Sequence, residues 1–283
     1  AVTARLAAAG VPAPHAEARW LVEHVVSEAG GLDEDLVRGR LEALVSRRLA
    51  HEPLQLLLGR WPFRTVELEL APGVFVPRPE TEVVAGVAID HARRCGPGAV
   101  VAEPCTGTGA IAASLVAELD QVEVYATDRC ALAAALAGRN LAVVSAGRPR
   151  SRATVLEGDL LAPLPARLHG RLDVLVANPP YLPRGDLGEL PPEVADHDPP
   201  AALFGGVDGH EVVVRLLVLA REWLRPGGVA VVEIDDRRGE EAVAAARAAG
   251  LAAVHLVPDL TGRDRAVVGS APAAPGPRVG SGS

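Results

Sequence analysis

In the N-terminal part of the chain, residues of similar character recur every three or four positions, the period of a helix face. Trp20, Leu21, His24 and Val25 carry this pattern through 16–29, and Gly30-Gly31 ends it. Asp33 is suited to cap a second helix, with Leu36, Leu41, Leu44, Val45 and Leu49 on its apolar positions. A short third segment covers 53–58 and stops at Gly59. The period then drops to two at Phe63, Thr65/Val66, Leu68 and Leu70, and Ala71-Pro72-Gly73 forms a turn before Val74-Phe75-Val76. This predicts a β-hairpin. Pro77-Arg78-Pro79 leads into a helix that starts near Glu80 or Thr81 and runs to Arg94.

From Ala99 onward, short apolar runs alternate with helical stretches. The strands fall at 99–102, 123–127, 153–156, 172–177, 229–234, 252–257 and 265–269, and the helices at 110–119, 131–141, 211–223 and 240–249. Such alternation implies an α/β fold, a parallel sheet wrapped by helices. The connection 258–264 is too short for a crossover helix, so the last strand runs antiparallel to its neighbour. Pro226-Gly227-Gly228 punctuates the chain between a helix and a buried strand. The organisation expected is a helical domain at 1–58, a hairpin linker at 59–78, the α/β domain at 79–270 and a Gly/Pro/Ser-rich disordered tail at 271–283.

Composition narrows the setting. At 283 residues the chain has room for one large domain and a small one. Acids and arginines interrupt every apolar run, so no segment is expected to span a membrane, and no secretory signal is evident. Cys95, Cys105 and Cys130 have neither the number nor the spacing of a disulfide or zinc framework, which points to the reducing cytoplasm. The net charge of -8 argues against a generic polyanion binder. Every basic residue apart from histidine is an arginine. Methionine is absent even at position 1, as in a numbering that begins inside a longer chain.

Three places carry candidate chemistry. Glu103-Pro104-Cys105-Thr106-Gly107-Thr108-Gly109 follows the first strand of the sheet and precedes a helix, where glycines let a ligand approach the backbone and a helix N-terminus. A tight strand–helix turn would look similar. Asp128 ends the next strand and can accept ribose hydroxyls or cap the following helix, and Asp159 with Leu160 ends the third strand in the same way. Asn178-Pro179-Pro180-Tyr181 follows the strand at 172–177. Neither proline has an N–H, so their carbonyls can only accept. The Asn178 oxygen and the Pro179 carbonyl can together take both hydrogens of a planar –NH2 group, with Tyr181 over its face. Such a nitrogen is a weak nucleophile, so orientation is what it needs from the protein.

Other features read as structural. His197 and His210, beside Asp196, Asp198 and Glu211, lack a metal-ligand spacing, and the two histidines read as solvated loop residues, so no metal is expected. Cys105 reads as a small residue lining the glycine loop rather than a nucleophile. Arg47-Arg48 and Asp235-Asp236 read as solvated faces. The loop from Ala201 to Gly209 is expected to face the same sheet edge as the three sites.

With these residues in hand, the chain resembles the HemK/PrmC family of protein glutamine-N5 methyltransferases from about residue 5 to residue 269. The match includes Glu52-Pro53-Leu54-Gln55, the run from Pro72 to Glu82, Thr106-Gly107-Thr108-Gly109, Asn178-Pro179-Pro180-Tyr181, the segment from Pro199 to Gly209 and the run from Asp259 to Arg265. Asn-Pro-Pro-Tyr is shared with amino-methyltransferases of DNA and RNA bases. Pro77-Arg78-Pro79-Glu80-Thr81-Glu82 and the helical N-terminal domain are more specific to this family.

The resemblance implies a seven-stranded, Rossmann-like methyltransferase sheet, S-adenosylmethionine as donor and a glutamine amide as acceptor, usually in the Gly-Gly-Gln loop of a peptide-chain release factor. It implies that Glu103, Cys105 to Gly109 and Asn178 border the donor, with Cys105 to Gly109 lining its methionine part. Asp128 would take the ribose and Asp159 with Leu160 would adjoin the adenine. Asn178, Pro179, Pro180 and Tyr181 would hold the substrate amide, and the N-terminal domain would help dock the protein substrate. Glu103, Cys105 and Leu160 depart from the family pattern of Asp, Gly and an aromatic residue. Two alternatives stand beside this reading: an exocyclic-amine methyltransferase of a nucleic-acid base, and a non-catalytic binding protein on a decayed methyltransferase fold.

Overall fold

The computed structural model describes residues 2–31 and 33–273. Helices α1 (Val2–Ala8), α2 (Pro14–Glu28), α3 (Glu34–Leu49) and α4 (Leu54–Leu58) form the N-terminal module. Leu6, Leu21, Val45, Leu54 and Leu57 make its small core, and Trp20 meets Trp61 edge-to-face with ring centroids 5.7 Å apart. Gly59, at φ 69, ends α4 in the left-handed conformation that glycine adopts without strain. Asp33 does occupy the N-cap of α3, but its side chain makes no capping bond, and Leu36 is 57% exposed rather than part of the core.

The hairpin pairs β1 (Arg60–Phe63) with β2 (Val66–Glu69), so its turn is Arg64-Thr65 rather than Ala71-Pro72-Gly73. Val74-Phe75-Val76 is not a strand. Val74 instead packs on Ala133 and Leu136. The unexpected turn is fixed by Arg64, whose guanidinium donates to both Glu118 carboxylate oxygens at 2.8 Å and to the Glu82 carbonyl at 2.9 Å.

The α/β domain runs α5 (Thr81–Cys95), β3 (Ala99–Pro104), α6 (Ala110–Glu118), β4 (Val122–Asp128), α7 (Ala131–Ala146), β5 (Arg152–Glu157) and β6 (Leu172–Ala177). It continues through α8 (Pro192–Ala195), α9 (Pro200–Leu203), α10 (Glu211–Trp223), β7 (Leu224–Glu233), α11 (Gly239–Ala248), β8 (Ala252–Pro258) and β9 (Asp264–Ser270). The sheet has seven strands in the order β5-β4-β3-β6-β7-β9-β8. β3 to β7 are mutually parallel, and β9 lies antiparallel between β7 and β8.

Alternation along the strands feeds two core layers. Val101, Val174, Val176 and Val231 face α5 and α6, whereas Ala102, Leu175, Ala177, Ala230 and Val232 share the other core with α10 and α11. Pro226-Gly227-Gly228 falls within β7, where the pairing with β6 shifts register between Leu172 and Val174, rather than ahead of the strand. Gly227 N–H donates to the Ala271 carbonyl, and Ala271 N–H to that of Gly228. Ala271 is therefore tied to the sheet and is not part of a tail. The rest of the expected tail, from residue 274, lies outside the described residues.

The strand order reverses beside β3, with β4 on one side and β6 on the other. In open α/β sheets, ligands bind beyond the carboxyl ends of the strands at such a switch point. The glycine loop leaves the end of β3, and Asn178 leaves the end of β6.

Candidate active site

A cleft of about 1070 Å³, including its solvent-open part, lies over this switch point. Its floor is the turn from Glu103 to Thr108. Glu103 belongs to the end of β3 and is 2% exposed. Its Oε2 accepts from the Thr106 hydroxyl at 2.7 Å and from Ala112 N–H at 2.9 Å. Burial pushes this carboxyl up to about 8, against the pull of those two donors. The acid is thus folded back against the start of α6 instead of projecting across the cleft.

Cys105 lines the cleft at φ 60, a backbone that favours glycine. Burial, with the nearby Asp128 charge adding to it, raises its thiol to about 12, so it is not a thiolate nucleophile. Gly107 has φ 56, and an added Cβ would meet no protein atom within 4 Å. It would instead stand in the space where a ligand can reach the backbone. At Gly109 an added Cβ would lie 3.1 Å from Ala137 Cβ, so glycine there lets α6 and α7 converge. Thr108 O accepts from Asn140 Nδ2 at 2.8 Å, and the same Asn140 bonds both backbone groups of Glu69. One side chain of α7 therefore joins the loop to the hairpin.

Asp128 borders the cleft at the end of β4. Its Oδ2 accepts from Gly107 N–H and its Oδ1 from Cys130 N–H, both at 2.9 Å. It thus braces the glycine loop and the entry to α7 while remaining only half-buried. Asp159 and Leu160 also line the cleft. Asp159 is exposed and its Oδ2 pairs with Arg215 at 2.5 Å, whereas Leu160 is buried at φ 47 with its carbonyl accepting from Thr127.

Asn178 and Pro180 form the wall toward β6. Asn178 Nδ2 donates to Thr81 Oγ1 at 3.1 Å, so the amide presents its oxygen elsewhere. Among the described residues, nothing donates to Asn178 Oδ1 or to the Pro179 carbonyl. Pro179 and Tyr181 stand outside the cleft lining. Tyr181 packs with the α10 side of the core, and its hydroxyl donates to Glu233 Oε1 at 3.2 Å. The expected position over the substrate amide is thus not its position here.

The loop after α9 packs backbone to backbone on this turn. Leu182 N–H donates to the Leu203 carbonyl, and Gly205 N–H to that of Leu182. A Cβ at Gly205 would lie 2.4 Å from the Pro180 carbonyl oxygen, and one at Gly209 2.4 Å from that of Tyr181. The glycines of the segment are required by this close approach, which also brings Pro199, Ala201 and Ala202 to the cleft.

Several contributors come from the run from Pro72 to Glu82, which the sequence pattern leaves outside the site. Phe75 and Pro77 roof the cleft, and Arg78 stacks on Phe75 while pairing with the buried Asp198 just before Pro199. Burial raises the Asp198 pKa even with Arg78 beside it. Thr81 lines the cleft as well. Three residues read as solvated are not. Arg48 is 3% exposed and lies between Glu17 and Glu193, Asp235 is 5% exposed and pairs with Arg237, and His210 is buried with Nε2 3.2 Å from Glu241. Arg48 and Asp235 keep charged partners, which is what permits the burial of a charge, whereas among the described residues nothing hydrogen-bonds His210 Nε2.

The cleft fits S-adenosylmethionine. It offers an open glycine backbone at Gly107, the carboxylate of Asp128 at the loop, and an apolar floor at Leu160. No protein-family model matches the chain. It is 41% identical over 283 residues to a release factor glutamine methyltransferase of Mycolicibacterium smegmatis, covering 94% of both chains. It is likewise 41% identical over 246 residues to one of Streptomyces coelicolor, covering 84% of this chain and 83% of that one. Among solved structures, a methyltransferase of Pyrococcus furiosus has the same fold, with a TM-score of 0.50 at 20% identity over 72% of this chain and 88% of that one.

Proposed function

The chain belongs to the release factor glutamine methyltransferase family, and from that premise we propose that it methylates the side-chain amide nitrogen of the glutamine in a release factor's Gly-Gly-Gln loop. The observation that carries this reading is Asn178, at the cleft wall with its –NH2 turned to Thr81 and its oxygen unclaimed. When bound, S-adenosylmethionine supplies an electrophilic methyl group on a positively charged sulfur. Asn178 Oδ1 and the Pro179 carbonyl accept the two amide hydrogens, which orients the nitrogen lone pair toward the donor side of the cleft. Asp128 holds the donor's ribose, the backbone at Gly107 admits its methionine part, and Leu160 with Asp159 borders its adenine. Tyr181 closes the acceptor site from behind through its bond to Glu233.

An oriented amide needs no strong base, because its nitrogen loses a proton readily once it has gained the methyl group. Cys105 takes no part, its thiol being held neutral. The net charge of -8 favours a protein acceptor over a nucleic acid. The helical module, tied by Arg48 to α8 at Glu193, is assigned to docking the body of a release factor in the cytoplasm. Incubation with labelled donor tests the proposal: label on the Gly-Gly-Gln peptide is expected, and label on DNA or RNA alone contradicts it.

A further inference from the structure

Behind Asn178 lies a buried carboxylate that no role above fully uses. Glu233 ends β7, is 1% exposed, and has Oε1 engaged by the Tyr181 hydroxyl, while its Oε2 is buried with no hydrogen-bond partner. An orphaned buried carboxylate oxygen is costly, and such a group persists where it serves a purpose. Thr81, 3% exposed, faces it from the start of α5. The Thr81 oxygen already accepts the Asn178 –NH2 group, so its one hydroxyl hydrogen is left to be donated elsewhere. Glu233 is the acceptor at hand.

We propose that Glu233 is a positioning residue of the methyl-acceptor site: its ionised carboxylate takes the Thr81 hydroxyl hydrogen, which leaves Thr81 only as an acceptor and thereby fixes the Asn178 amide with Oδ1 toward the substrate. The same carboxylate anchors Tyr181, so both ends of the Asn-Pro-Pro-Tyr turn are held by one group. The chain of contacts spans three segments, from Glu233 on β7 through Thr81 on α5 to Asn178 in the turn after β6, with Tyr181 farther along that turn. A protonated Glu233 can donate to the Thr81 oxygen itself. Thr81 is then free to donate to Asn178 Oδ1, and the amide turns its –NH2 group toward a substrate that also offers only hydrogens.

The charges around Glu233 set when this change occurs. Glu80 faces it beside Thr81, Arg265 from β9, and Tyr181 from the turn, with Asp235 following β7. Asp259 holds Arg265 in place with Oδ2 at 3.0 Å from its guanidinium. Burial pushes the Glu233 carboxyl up to about 7, with the Thr81 hydroxyl and the Arg265 cation opposing the rise. The acceptor site is then ordered above neutral pH and loosened below it.

The inference rests on the proposed amide-methylating role for its kinetic readout and on the apo protein for its spectroscopic one. In the unliganded enzyme, the Asn178 side-chain amide resonances in a 15N correlation spectrum are expected to titrate with a midpoint near 7, and Glu233→Gln is expected to abolish that titration. With release factor as substrate, Glu233→Gln and Thr81→Val should each lower kcat by about ten- to a hundredfold with donor affinity unchanged. Thr81→Ser, which keeps the hydroxyl, should stay near wild type. The wild-type loss of kcat below neutral pH should vanish in Glu233→Gln. Thermal unfolding of each variant identifies any that fail to fold, and the serine variant retains the test in that case. A titration-silent Asn178 amide overturns the inference, as does folded Glu233→Gln with wild-type kcat and pH profile. A wild-type enzyme that titrates as expected but leaves release factor unmodified contradicts the substrate reading alone.

Discussion

Asp128 pins the amides of Gly107 and Cys130 and borders the cleft, and under the proposed function the same carboxylate takes the donor's ribose. Asp128→Ala should therefore weaken S-adenosylmethionine binding by about ten- to a hundredfold, the worth of one or two hydrogen bonds to a charged group. Calorimetric titration measures this directly, and unchanged affinity would remove Asp128 from the donor site. Asp128 and Asn178 were legible in the sequence because each ends a strand in a short, chemically distinctive motif. Thr81 was visible only as a member of the run from Pro77 to Glu82 and a helix start, and Glu233 only as a strand residue, neither with a place in the site. Asn178 meets Thr81 across 97 positions, and Tyr181 meets Glu233 across 52. No local pattern announces such pairings, and the orientation of Tyr181 depends on the second of them. The departures at Glu103 and Cys105 also resolve only in three dimensions. The longer acid turns back onto Thr106 and Ala112, and the cysteine takes the left-handed backbone of a glycine.

At the scale of elements, the helical module is joined to the catalytic domain by a buried charge cluster. Arg48 on α3 donates to Glu17 on α2 at 2.6 Å and lies 3.2 Å from Glu193 on α8. α8 belongs to the segment that continues through Asp198 and Pro199 to the cleft. Removing one partner from a buried ion pair strands the other, so Arg48→Ala should destabilise the protein by about 3–5 kcal/mol. Replacing Arg48 and Glu17 together with Met and Leu should recover most of that loss. Denaturant unfolding of both variants decides the matter, and a single substitution costing under about 1 kcal/mol would show that the cluster is dispensable. The strands and helices of the sheet were legible from their periods alone. The insertion of β9 between β7 and β8 was not, because strand order is set by long-range pairing. The hairpin turn was misplaced for a related reason: Arg64 holds it through α5 and α6, whereas the Pro-Gly pair farther on carries the usual turn chemistry.

Across the whole molecule, two buried acids on the cleft side share one sign. Glu103 at about 8 and Glu233 at about 7 both lie above the ordinary value of 4.5. A carboxyl whose pKa is raised on folding keeps its proton more readily in the native state. Its contribution is complete below the unfolded value and is lost as pH rises through the folded one, at no more than about 1.4 kcal/mol per unit for each group. Global stability should therefore decline between about pH 5 and pH 8, by a few kcal/mol, and Glu103→Gln should flatten that slope. Thermal unfolding across the range checks it, and a stability that rises with pH throughout would contradict it. The fall in stability coincides with the ionisation of Glu233 that orders the acceptor site, so activity and stability are expected to have opposite pH preferences over this range.

The central claim is that Asn178 presents its oxygen and the Pro179 carbonyl to a glutamine amide. The most direct test is intact-mass and peptide mapping of a release factor incubated with the enzyme and S-adenosylmethionine. The account predicts one added methyl group on the Gly-Gly-Gln glutamine, lost with Asn178→Ala while donor binding persists. A release factor left unmodified by an enzyme that binds the donor and methylates a nucleic acid, or full methylation by Asn178→Ala, would contradict it.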